Sequence, residues 1–170
     1  MAGLFLNICG PVVSDTAYVN NELVAKDVEA TLPEVTPTTA DVQAMGTMSI
    51  PIWQYLENLE LSITKIGVDK GLRSMMKPEP LNLELRFVQT VTDANGNTKN
   101  VGCKAFMKGI PNKLPEIAVT PGEATENECT MMLTRYQLFA NGEEMFLIDR
   151  LAGICRIAGK DYAADLSSML

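Results

Sequence analysis

The stretch YQLFANGEEMFLID, Tyr136 to Asp149, decides how this chain is read. Two apolar-rich runs flank Asn141-Gly142, a pair that tolerates positive φ at both central turn positions and so matches the twist of a two-residue type I′ hairpin. Counting outward from the turn pairs Leu138 with Met145 and Tyr136 with Leu147 on one side. The other side pairs Phe139 with Glu144, Gln137 with Phe146 and Arg135 with Ile148. The first side predicts a core face; the second is half apolar and half charged. A solvated face has no need of Phe139, Phe146 and Ile148, and a core face does not readily accept Arg135 and Glu144. Such a face predicts contact with another protein surface.

Period-two alternation continues outside the hairpin. LNLELRFVQTV sets Leu81, Leu83, Leu85, Phe87, Gln89 and Val91 against Asn82, Glu84, Arg86, Val88 and Thr90, a half-buried strand. The Asn- and Gly-rich run from Thr92 to Asn100 turns the chain into a return strand from about Val101 to Met107. ENLELSITKIG predicts a strand with Leu59, Leu61 and Ile63 inward. ELVAKDVEATLP predicts one more, with Val24, Lys26, Val28, Ala30 and Leu32 on its core side. VDKGLRSMMKP is the one interior helical segment: Asp69 caps it, Leu72, Met75 and Met76 share a face, Gly71 weakens it and Pro78 stops it. The C-terminus from Ala158 predicts a short final turn or arm. The segments 36–49 and 112–127 carry no strand or helix signal, and loops of that length tend to be interaction arms.

The chain has 170 residues, room for one sizeable domain and short for two. Hydrophobic residues make up 46% and charged ones 21%, ordinary for a soluble globular protein, and no apolar run approaches the roughly 20 residues that cross a bilayer. The opening MAGLFLNICG has no basic n-region, so it does not read as a signal peptide. Cys9, Cys103, Cys129 and Cys155 are scattered, which reads as buried free thiols. Net charge is −7, which disfavours tight binding to nucleic-acid phosphates. The surplus is localised: six acids between Asp15 and Asp41 face Lys26 alone, and Glu116, Glu123, Glu126 and Glu128 stand in a stretch with no base. This serves solubility or forms a surface that repels polyanions.

Chemistry is hard to find. With no histidine, His-based triads, His-ligated zinc and the commonest general base are excluded together. No phosphate-cradling glycine motif is present. DANGN, Asp93 to Asn97, fails the calcium-loop pattern, since Gly96 comes fourth and Lys104 stands twelfth. Glu143 and Glu144 alternate faces on a strand and cannot flank one bond, and Glu57/Glu60 lack a sugar platform beyond Trp53 and Tyr55. Trp53 and the methionines Met75, Met76, Met131 and Met132 read as packing. No catalytic residue, cofactor or metal site is expected, and the protein is not expected to be an enzyme.

The order of pieces carries more than any one of them. VAKDVEATLPEVT (24–36), AMGTMSIPI (44–52), ENLELSITKIG, a short helix, a hairpin ending KAFMKGIPNKLPE, the arm PGEATENECT and TRYQLFANGEEMFLID with RLAGICRIAGKDY behind it follow in sequence. Together they resemble the major tail tube proteins of contractile-tailed bacteriophages and of phage-tail-like bacteriocins, from about Leu4 to Tyr162. GPVVSDTAYV within the first twenty residues is an extra apolar segment relative to that pattern.

The resemblance implies a mainly β, antiparallel barrel or sandwich with one short helix and long interaction loops, a single domain over residues 1–170. It further implies hexameric rings stacked into a hollow tube inside a contractile sheath, through which DNA passes without specific binding. Partners would be further copies, the sheath, a tape-measure protein, and baseplate and terminator proteins, in a virion tail or bacteriocin particle assembled in the bacterial host cytoplasm. In that setting Arg135, Phe139, Glu144, Phe146 and Ile148 are the candidate subunit interface, and Asp27, Glu29, Glu123 and Glu126 the candidate acidic lumen. A different class of reading is a monomeric β-barrel holding a small apolar ligand, its Met-rich side lining the pocket.

Overall fold

The structure, a computed structural model, describes residues 8–170. The reading of the first residues as lacking a signal peptide, and the start of the resemblance at Leu4, lie outside the described residues. The elements in chain order begin with β1 (Ile8–Val19), β2 (Glu22–Lys26), β3 (Glu29–Thr31), β4 (Pro37–Gln43), β5 (Thr47–Leu56) and β6 (Glu60–Ile66). They continue with α1 (Lys70–Met75), β7 (Leu81–Thr92), β8 (Thr98–Pro111), β9 (Glu126–Ala140), β10 (Glu143–Asp149), β11 (Ile154–Ile157), β12 (Lys160–Asp161) and α2 (Ala164–Met169). The chain is mainly antiparallel β, as expected, and its helices are two short ones where the sequence had suggested one.

The main sheet runs β12-β11-β10-β9-β8-β7-β1-β2, with β6 branching from β9 and β3 pairing β6. Among the described residues its path is open at β12 and β2, without closure into a barrel. One strand serves both parts. The first half of β9 pairs with β6, from Glu126↔Ile66 to Met132↔Glu60, and its second half pairs with β8 and β10. A register irregularity between Lys108 and Gly109 marks where β8 meets that change. β6 thus lies over the inner side of the main sheet, and Leu59, Leu61 and Ile63 join Leu81, Leu83, Leu85, Ala105 and Met107 in one core. Burying such branched side chains contributes about 1.5–3 kcal/mol each in area terms.

Alternation placed most of these side chains correctly, but the strand expected from Val24 to Leu32 is broken. β2 pairs with β1, then Asp27 takes φ +51° and β3 crosses to β6. The turn is held by Asp15, whose Oδ1 accepts the Val28 N–H at 2.9 Å. Because the chain changes partner at Asp27, Lys26 is exposed rather than lying along the core. α1 forms as its cap predicts: the Asp69 carboxylate accepts from Leu72 N–H at 3.0 Å and pairs with Lys65 at 2.8 Å. Gly71 is there for packing. A Cβ at that position would lie 2.2 Å from the Val24 carbonyl oxygen, so only glycine lets the helix rest on β2. Cys103, Cys129 and Cys155 are buried, and Cys129 and Cys155 are free thiols.

Candidate functional site

The β9–β10 hairpin turns at Asn141 (φ +51°) and Gly142 (φ +79°), both positive as a type I′ turn needs. Glu143↔Ala140 and Glu144↔Phe139 pair in the counted register, and then the ladder slips. Met145 is the extra residue of a β-bulge, so Phe146 pairs with Leu138, Leu147 with Gln137 and Ile148 with Tyr136. One inserted residue swaps every later side chain to the opposite face. Phe146 and Ile148, expected at a subunit interface, therefore face inward: Ile148 is 1% exposed, and the Phe146 ring meets Tyr136 edge-on at 4.8 Å. Met145, expected in the core, is 48% exposed. Burial pushes the Tyr136 phenol up to about 12, as suits a ring held among hydrocarbon.

The outer face keeps Arg135, Phe139 and Glu144 and gains partners from β8 and β11. Phe139 meets Phe106 edge-on at 5.7 Å. Glu144 accepts from Arg156 at 2.6 and 2.9 Å and from Gln137 at 2.9 Å. The Arg156 hydrogen bonds hold the Glu144 carboxyl below its ordinary value, helped by Gln137. Arg135 donates to Gln137 at 3.4 Å. The mixed face is thus largely paired within the chain, which a count limited to one hairpin could not reveal.

A second surface lies where the sequence suggested a loop. Segment 36–49 is the first part of a β4–β5 hairpin, a separate two-stranded sheet turning at Met45 and Gly46. Ala40↔Ile50 and Val42↔Met48 place an apolar face on one side; Asp41↔Ser49 and Gln43↔Thr47 place a polar face on the other. Val42, Met48 and Ile50 are 43%, 48% and 40% exposed, and Met45 at the tip stands fully in solvent. An isolated two-stranded hairpin is marginal in water, so a bare apolar face on one calls for a partner. The signal was present in the alternation Ala40, Val42 and Met48, Ile50, Ile52, masked by threonines and by a turn without Asn-Gly.

The base of this arm is tethered. Arg150 donates to the carbonyls of Leu56 at 3.1 Å and Glu57 at 3.5 Å, and the Gln54 amide donates to the Tyr162 carbonyl at 3.1 Å. Trp53 and Tyr55 border a cavity of about 220 Å³ shared with Arg150 and Leu166 of α2. Trp53, read as core, is 37% exposed on the arm. Sequence reasoning found neither Arg150 nor this role for Trp53, since their partners are remote in the chain. Segment 112–125 does lack regular structure, with Leu114, Ile117 and Val119 exposed.

The acidic candidates divide. Glu29 and Glu128 flank Thr64 in one row across β3, β6 and β9, and Glu126 pairs with Ile66 on the same face. Ala30, Ile63 and Cys129 point the other way, into the core. Glu128, which the sequence reading left out of its lumen candidates, belongs to this row and accepts the Ser62 hydroxyl at 2.8 Å. Glu123 lies apart, in the 112–125 segment. Asp27 lines a groove of about 720 Å³ with Asp15 and Glu29 between β1 and β3. Burial pushes the Asp15 carboxyl up, and the neighbouring Asp27 charge adds to it.

Among the described residues no three His, Cys, Asp or Glu side chains converge as a metal site. The two larger grooves, of about 720 and 530 Å³, have no methionine in their walls, contrary to the Met-lined pocket of the ligand-binding alternative. No helix is long and apolar enough to cross a membrane among the described residues.

No curated protein matches by sequence. Solved structures do match in fold. A chain of the PVC sheath–tube complex of an extracellular contractile injection system, in its extended state, superposes with a TM-score of 0.55 at 14% identity, covering 82% of this chain and 95% of that one. A chain of the anti-feeding prophage cap, the AFP tube terminating cap, gives 0.56 at 13% identity, with 80% and 94% covered. A chain of the PVC sheath/tube terminator in its extended state gives 0.52 at 13% identity, with 81% and 99% covered. At such identity these comparisons establish the fold. The family comes from the sequence itself, since the model of the phage tail tube protein FII family matches residues 13–170. Nearly the whole chain fits it, and the protein belongs to the phage tail tube protein FII family.

Proposed function

We propose that copies of this chain form hexameric rings that stack into the hollow inner tube of a contractile tail, a conduit for DNA ejection or for membrane puncture by a headless particle. The observation that carries this reading is the β4–β5 arm, whose apolar face, Val42, Met48 and Ile50 with Met45 at the tip, is left exposed by the described residues of its own chain. A tethered base and a bare face suit an arm made to lie on another copy. The role is structural and needs no catalytic group.

Chains of the same fold come from sheath–tube and tube-terminator complexes, which supports a sheath around the tube and a terminator at its end. A tape-measure protein during assembly and a baseplate complete the partners, and assembly takes place in the bacterial host cytoplasm. The row Glu29, Glu126 and Glu128, with Asp27 and Glu123, supplies an acidic lumen that lets a polyanion slide without gripping it. Arg135, Phe139 and Glu144 remain the candidate contacts of the outer face, without Phe146 and Ile148.

Size exclusion with light scattering, followed by negative-stain microscopy, tests the proposal. Rings or tubes are expected at high concentration, and only monomers once 38–54 is replaced by a short Gly-Ser turn. A wild-type chain that stays strictly monomeric at all concentrations overturns it.

A further inference from the structure

A groove of about 530 Å³ opens on the outer face where β7, β8 and β9 run side by side. Its walls carry Arg86 and Lys104 beside the touching rings of Phe106 and Phe139, with Gly102 and Gly142 also in the lining. Arg86 pairs with Glu84 and stacks on the Tyr18 ring at 4.5 Å. Lys104 has no ion-pair partner among the described residues and is exposed. A greasy slot with an uncommitted cation is thus built into a chain of net charge −7.

The complementary surface is the 112–125 segment. It has no regular structure apart from a turn closed by the Glu123 N–H on the Thr120 carbonyl, is interrupted by Pro115 and Pro121, and presents Leu114, Ile117 and Val119 at 67%, 41% and 83% exposure beside Glu116 and Glu123. Proline-bearing segments dock well in aromatic-lined grooves because little chain entropy is lost on binding. A carboxylate then completes the match with Lys104.

The two surfaces lie apart within the described chain. The segment leaves β8 at Pro111 and rejoins β9 at Glu126, whereas the groove lies toward Gly102 and Gly142. None of its residues lines the groove. Unlike patches at opposite ends of a strand axis make a head-to-tail contact, the kind that repeats from copy to copy.

Resting on the tube reading, we infer that the 112–125 segment of one copy lies in the Arg86–Lys104–Phe106–Phe139 groove of the next, with Glu116 or Glu123 on Lys104. The test is a charge swap in the full chain. Lys104→Glu is expected to raise the concentration needed for assembly by about tenfold or more, with the monomer's circular dichroism and melting unchanged. Adding Glu116→Lys and Glu123→Lys to it should recover most of the loss, and carbodiimide should couple Lys104 to Glu116 or Glu123 in assembled wild-type material. If wild type assembles and Lys104→Glu assembles equally well, the groove is not a contact and the inference falls while the tube reading stands. If the single change impairs assembly and the swap does not restore it, the named occupant is wrong. If wild type never assembles, the tube reading itself falls.

Discussion

The β9–β10 and β4–β5 hairpins obey the same local rule and meet opposite fates. Both alternate apolar and polar side chains about a turn whose central residues have positive φ. The first is embedded: β8 and β11 flank it, Tyr136, Phe146 and Ile148 enter the core, and Glu144 is held by Arg156 and Gln137. The second is a sheet of its own with a bare apolar face. The difference teaches that alternation reports which face is apolar and says nothing of what covers it. That cover comes either from the same chain or from another copy, and only the sheet's neighbours tell which.

The sharpest way to break this comparison is to make equivalent changes in both hairpins. Ile148→Ala should lower the unfolding free energy of the monomer by about 2–5 kcal/mol, because it opens a cavity under a side chain that is 1% exposed. Ile50→Ala should move it by about 0.5 kcal/mol or less, as for other surface changes. Urea unfolding of dilute monomer measures both, and equal losses would mean that the arm is part of the fold's core.

Next in size is the effect on assembly. Ile50→Asp should abolish sedimentable assemblies while leaving the monomer's melting temperature in place. Phe146→Glu should do the reverse of a clean interface change, destabilising the monomer first, since its ring packs on Tyr136. Pelleting and calorimetry on the two variants separate the outcomes, and assembly by Ile50→Asp as good as wild type would remove the arm from the contact.

A smaller effect is expected at the tether. Arg150→Ala removes two hydrogen bonds to the arm's base and should speed hydrogen exchange across 37–56, with the protection of β7 and β8 unchanged. Unaltered exchange in the arm would show that Gln54 and the cavity around Trp53 suffice to hold it.

The smallest prediction lies outside both hairpins and serves as their control. Burial, then the Asp27 charge, raises the Asp15 carboxyl above its ordinary value near 3.8. A raised folded-state value means that Asp15 contributes stability below about 3.8 that is lost as pH rises through the folded value. Asp15→Asn keeps an acceptor for Val28 and removes the charge, so it should stabilise the fold slightly at neutral pH and show no gain in acid. Thermal melts at pH 7 and pH 3 in either order of stability decide the sign.

The inward residues of β6 and β7 and the cap of α1 were legible because each rests on neighbours close in sequence. Leu61 and Ile63 follow from period two, and Asp69 follows from its own N-cap pattern. What failed depended on a single misplaced residue or a remote partner. Met145 slipped the ladder and turned Phe146 and Ile148 toward the core, while Leu147 stays buried on the other face, and nothing in FANGEEMF distinguishes a bulged strand from a straight one. Threonines hid β4, and Asp27, which looks like one more polar position, sends the chain from one sheet to the other. The family resemblance ran ahead of the site: it rested on the order of many fragments, whereas the interface residues rested on one register.

By itself the sequence determined that this is a mainly antiparallel β chain, without histidine chemistry, acidic, and carrying more apolar strand surface than one hairpin pair can use. Those properties are set by composition and by nearest-neighbour geometry, which tertiary contacts cannot change. The tertiary structure decided which apolar face was spare. Pairing is a relation between strands, so a bulge at Met145 turns Phe146 and Ile148 inward, and with no further described strand pairing with β4 and β5, Val42, Met48 and Ile50 face solvent.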